Sequence, residues 1–136
     1  MTEKTKWFVG NMNTLCRPVG AVTYQLWMIV EKNINVTVGK LGSFGFPAGC
    51  YVYTGSARRG LESRIDRHRK KVKPLRWHID YLTVLPEVSI IQVRTFCEPE
   101  CVVNQKVEGE IICPGFGSGD CSSGCVSHLK RVNSFT

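Results

Sequence analysis

The chain has 136 residues, enough for one domain with its own core and too few for two ordinary ones. A hydrophobic content of 43% and a charged content of 21% are globular values, and no apolar run is long enough for a membrane-spanning helix. Net charge is +7, from 18 Lys and Arg against 11 Asp and Glu, which favours polyanionic partners over apolar ones.

Residues 1–20 show no clear period and close on Pro18-Val19-Gly20, so they read as an N-terminal extension, a tail or short helix, on a single domain with its core over about 21–132. They lack a charged segment followed by an apolar one, as a secretory signal has, and a cytoplasmic location is expected. Tyr24 to Val30 is an apolar, aromatic-rich strand. Ile34, Val36 and Val38 alternate with polar residues as in a half-buried strand. Glu31-Lys32-Asn33 reads as a hairpin link between these two strands. Gly39 to Gly49 reads as a loop, and Cys50 to Thr54 as a third strand ended by Gly55. Three successive strands with short links favour an antiparallel meander.

Leu61 to Val72 has a helical period, with Leu61, Ile65, His68 and Val72 on one face. Arg64 sits at the edge of that face, while Arg67, Lys70, Lys71 and Lys73 look outward. Pro74 ends the helix. Trp77 to Leu85 reads as one or two helical turns and Val88 to Phe96 as a strand. Pro99 fits the start of a helix from Glu100 to about Glu108. Ile111 to Gly124 reads as a structured loop, and Val126 to Val132 as a last strand. Strands and helices in this order make the expected class α+β, with antiparallel pairing.

The densest chemistry lies between Gly49 and His78. Tyr51 and Tyr53 lead into the Gly55-Ser56-Ala57 turn, whose backbone amides at a helix start make a natural anion site. Nine cationic residues then fall between Arg58 and Arg76, opposed only by Glu62 and Asp66. Such a patch either attracts a phosphate backbone or forms a solvated helix face. His68 suits either a core hydrogen bond or a proton-transfer role, and His78 and Asp80 suit local structural pairing. The seven cysteines, Cys16, Cys50, Cys97, Cys101, Cys113, Cys121 and Cys125, admit buried thiols, disulfides or a structural zinc ion. Cys97-x3-Cys101 and Cys121-x3-Cys125-x2-His128 have spacings that zinc accepts.

One ordered set of residues resembles a known superfamily. It comprises Tyr24; Gly49, Tyr51, Tyr53 and Gly55-Ser56-Ala57; Arg64 and Arg67-His68; and Trp77 to Leu82. Glu100-Cys101, Gly115-Phe116-Gly117, Asp120-Cys121 and Ser127-His128-Leu129 complete it. The chain looks like the GIY-YIG nuclease superfamily, and within it the small stand-alone branch described as a domain of unknown function. The resemblance covers roughly residues 20–130 and implies a small, mainly antiparallel central sheet flanked by helices, and cleavage of a DNA strand with one divalent ion, Mg²⁺ or Mn²⁺. It implies catalytic roles for Tyr24, Tyr53 and Arg64 and a metal-binding role for Glu100, and His68 stands beside them as a catalytic candidate, for a phosphate contact or as general base. Val22 stands where the first half-motif has Gly, and Ser56 where several active relatives have Lys. Ser56, Arg58, Arg59, Arg67, Lys70, Lys71 and Lys73 are the expected nucleic-acid contacts, to DNA or alternatively RNA. Tyr51, His78, Asp120 and His128 are secondary site candidates. A non-catalytic nucleic-acid-binding module and a cysteine-stapled interaction protein are the competing readings, and the oligomeric state is open.

Overall fold

The structure is a computed structural model that describes residues 6–8, 20–118 and 123–133. In chain order its elements are β1 (Lys6–Phe8), β2 (Thr23–Val30), β3 (Ile34–Val38), β4 (Gly42–Phe46), β5 (Gly49–Ser56), α1 (Leu61–Arg69), α2 (Asp80–Thr83), β6 (Val88–Phe96), α3 (Glu100–Gln105) and β7 (Leu129–Val132). The architecture is α+β. β6, β2, β5 and β7 form an antiparallel sheet in that order, β1 extends it parallel to β6, and β3 and β4 form a separate two-stranded sheet.

β2 explains the layout. Its residues from Thr23 to Met28 are all buried, so the strand is covered on both faces. Both of its edges are also occupied, by β5 and by β6. The expected meander of β2, β3 and β5 therefore does not form. β3 leaves the sheet and pairs with β4, setting Ile34 opposite Phe46 and Val36 opposite Phe44. The Gly39–Gly49 segment is not wholly loop, because Phe44 and Phe46 alternate with Ser43 and Gly45 as a strand requires. Glycine-rich composition hid that alternation. The N-terminal segment likewise contributes a strand, at residues 6–8, where a tail or short helix was expected.

α1 is shorter than its apolar period predicts. Leu61, Ile65 and His68 are buried, but Val72 lies beyond the helix and is 91% exposed. The Lys73 ammonium turns back and donates to the carbonyls of Arg67 and His68, closing the helix end before Pro74 does. Among the described residues no helix is long and apolar enough to cross a membrane. Cys97 is disulfide-bonded, whereas Cys50, Cys101, Cys113 and Cys125 carry thiols.

Candidate functional site

The antiparallel register of β2 and β5 sets Tyr24 opposite Gly55 and Leu26 opposite Tyr53. Gly55 is a packing requirement here. A Cβ at that position would lie 2.6 Å from the Tyr24 hydroxyl and 3.0 Å from the Tyr53 ring. The two phenol rings are 6.4 Å apart. From α1, His68 closes the group, with its Nε2 2.7 Å from the Tyr24 hydroxyl. Its Nδ1 is buried without a hydrogen-bond partner. Burial, and then the Lys73 charge, hold the imidazole down at about 3, so His68 is neutral. Burial also raises Tyr24 and Tyr53 above the ordinary phenol range, reinforced by Tyr53 at the first and by Glu100 at the second, with Arg64 opposing.

Ser56, the last residue of β5, joins two charged groups to this cluster. Its hydroxyl donates to Glu100 Oε1 at 2.7 Å, and its carbonyl accepts from Arg64 Nη1 at 3.2 Å. Glu100 opens α3, and its Oε2 is 2.5 Å from His128 Nδ1. Burial acts to raise the Glu100 carboxyl, but the hydrogen bonds from His128 and Ser56 and the Arg64 charge bring it below its usual value. The side chain keeps 25% of its surface in solvent. Arg64 also stacks on Trp77, its guanidinium carbon 4.7 Å from the ring centroid, with Arg67 at 4.6 Å from the same ring. Tyr24, Tyr53, His68, Arg64 and Glu100 thus surround the end of β5.

Other candidates lie elsewhere or have other work. The Tyr51 hydroxyl donates to the Pro47 carbonyl, at the far end of β5. His78 Nδ1 accepts from the Gly117 amide at 2.9 Å. Asp120 falls outside the described residues. The Gly55-Ser56-Ala57 amides do not make an anion site at a helix start. β5 runs through Ser56, the Ala57 amide donates to the Val22 carbonyl, and α1 begins only at Leu61.

The expected outward-facing set also needs correction. Arg67 pairs in bidentate fashion with buried Asp80, at 3.0 and 3.1 Å. The Lys71 ammonium donates to the carbonyls of Thr83, Leu85 and Val88, and the Lys73 side chain is only 3% exposed. A charge count records these cations but not the carbonyls and carboxylate they meet. Arg58, Arg59, Lys70 and Lys71 remain exposed, Lys71 together with its carbonyl contacts. Trp77, the platform beneath two arginines, was not singled out as a site residue, although an aromatic beside a basic run was the available signal.

Sulfur chemistry gathers next to Glu100. Cys101, Cys125 and His128 each offer one donor atom, all within 4.8 Å of one another. This grouping takes Cys101 from the first spacing noted in the sequence and Cys125 and His128 from the second, whose Cys121 lies outside the described residues, while Cys97 is withdrawn into its disulfide. Only the three-dimensional meeting of α3 with the segment before β7 reveals it.

The family model described as Domain of unknown function DUF123 matches residues 23–136. No curated protein and no solved structure matches the chain.

Proposed function

The chain belongs to the DUF123 family, and from the geometry of its site we propose that it is a metal-dependent endonuclease of GIY-YIG type acting on DNA. The observation that carries this reading is the double tether at Ser56, which brings the Glu100 carboxylate and the Arg64 guanidinium to the same strand end as Tyr24, Tyr53 and His68. A cation, an anion and neutral proton-handling groups together are what phosphodiester hydrolysis requires.

The Glu100 carboxylate fits a hard divalent ion. It is anionic at neutral pH, part-exposed, and retains oxygen lone pairs beyond those used by Ser56 and His128. Mg²⁺ or Mn²⁺ bound there supplies Lewis-acid stabilisation of the phosphate oxygens. Arg64 holds the phosphate and offsets charge that builds on it, with Trp77 fixing the guanidinium plane. Tyr24 and Tyr53 remain protonated at neutral pH, so they orient the attacking water by hydrogen bonding rather than as phenolates. His68 is neutral and shares a proton with Tyr24. Exposed Arg58 and Arg59, just past Ser56, are placed to grip the flanking backbone.

The test is cleavage of nicked, flapped and damaged duplexes with Mg²⁺ or Mn²⁺. Glu100→Gln and Arg64→Ala are each expected to lower the rate by about 10²–10³-fold, the scale of losing one electrostatic contact to the transition state. Activity unchanged by both substitutions would remove these roles. One observation favours a non-catalytic binding module instead: Tyr24 and Tyr53 are only 2% and 8% exposed. That reading expects salt-sensitive binding indifferent to Glu100→Gln and no cleavage with either ion.

A further inference from the structure

We propose that Cys101, Cys125 and His128 form a binding site for a zinc-like, thiol-seeking divalent ion, and that the bound ion orients Glu100 through the His128 ring. The site itself is independent of the nuclease reading; the second clause rests on it.

The distances suit the ion. Zinc at about 2.3 Å from sulfur and about 2.0 Å from nitrogen sets tetrahedral ligand atoms roughly 3.5–3.8 Å apart. Cys101 Sγ and His128 Nε2 are 4.0 Å apart, and all three donor atoms lie within 4.8 Å of one another. Closing around an ion therefore takes movements of an ångström or less. Two thiols with an imidazole select zinc over magnesium or calcium.

The ring of His128 is already set for this task. Its Nδ1 faces two oxygens, Glu100 Oε2 at 2.5 Å and the Thr54 carbonyl at 3.3 Å, so Nδ1 bears the proton. In the neutral ring that leaves the Nε2 lone pair toward Cys101. A histidine that gives its far N–H to a carboxylate is the common outer arrangement of zinc sites. The surrounding frame is fixed as well. The His128 amide donates to the Phe116 carbonyl, and its carbonyl accepts from the Thr54 amide. Asn104 Nδ2 donates to the Ser127 carbonyl, tying α3 to the segment that carries Cys125 and His128. Gln105 Nε2 points at Cys125 Sγ from 3.7 Å, a donor suited to a thiolate. Among the described residues no fourth His, Cys, Asp or Glu joins the group.

The full chain, stripped of metal and handled anaerobically without reductant so that the Cys97 disulfide stays closed and the free thiols stay free, is titrated with Co²⁺ and then Zn²⁺. One Co²⁺ per chain is expected, with thiolate-to-cobalt charge-transfer absorption that Zn²⁺ abolishes. Cys101→Ser and Cys125→Ser should each lose that band. Glu100→Gln should keep the stoichiometry but weaken affinity by about 10–100-fold, the usual cost of losing such an outer partner. In the unmutated chain, Zn²⁺ should shield Cys101 and Cys125, but not Cys50, from alkylation, which needs no variant to fold. Absence of a thiolate band, its survival in both cysteine variants, or equal alkylation with and without Zn²⁺ would overturn the site. Unchanged affinity in Glu100→Gln would overturn the coupling alone. No DNA enters these measurements, so failure of the nuclease reading is seen separately.

Discussion

His68 is wholly buried, neutral, and bonded through one nitrogen to Tyr24. Its pKa falls from 6.5 to about 3 on folding, through burial and the Lys73 charge. The unfolded chain therefore binds a proton that the folded chain refuses between those values. Stability is full above about pH 6.5 and declines as the pH falls toward 3, by up to about 1.4 kcal/mol per pH unit. Urea unfolding at pH 7 and pH 5 should differ by about 2 kcal/mol from this group. His68→Gln, which preserves a hydrogen bond to Tyr24, should flatten that part of the profile; an unchanged slope would show that another group sets it. The burial of His68 was legible in the sequence, because it shares the apolar helix face with Leu61 and Ile65; the pairing of Tyr24 with Gly55 was not, because Gly55 read as the end of its strand. The partner of His68 was not, since helix periodicity gives the buried face but not the atom waiting there.

At the scale of elements, the basic stretch serves as mortar before it serves as a surface. Arg67 binds Asp80 in α2, Lys71 caps carbonyls at and just beyond the end of α2, and Lys73 caps α1. Asp80 also accepts from the amides of Arg76 and Trp77, which fixes Trp77 beneath Arg64. Burial works against the Asp80 charge, but the Arg67 and backbone hydrogen bonds outweigh it and lower its pKa. Asp80→Asn leaves Arg67 and Lys73 without their counter-charge and should cost about 3–5 kcal/mol, read as a lower midpoint in thermal or urea unfolding. A loss below about 1 kcal/mol would mean that water or another anion replaces it. Element types were legible where periodicity was strong, as in β6, whose bounds match the sequence expectation. They were not legible in β4, where glycine dilutes the alternating phenylalanines, nor at the end of α1, where a lysine decides the boundary.

Across the whole molecule, the strand order sets the tyrosines deep in the sheet. Tyr24 on β2 lies between Gly55 of β5 and Thr95 of β6, and Tyr53 on β5 between Leu26 of β2 and Leu129 of β7. Each therefore belongs to a strand whose peptide groups are bonded to neighbours on both sides. Local fraying, which loosens edge strands and loops, cannot free such positions. In deuterated water the amides around Tyr24 and Tyr53 should exchange only through global opening and share the protection of the slowest sites. Faster exchange there than at edge strand β7 would contradict this placement. A phenol pair anchored in that way keeps its spacing through every motion short of unfolding, so any adjustment to a ligand falls to Arg58, Arg59 and the other groups at the rim.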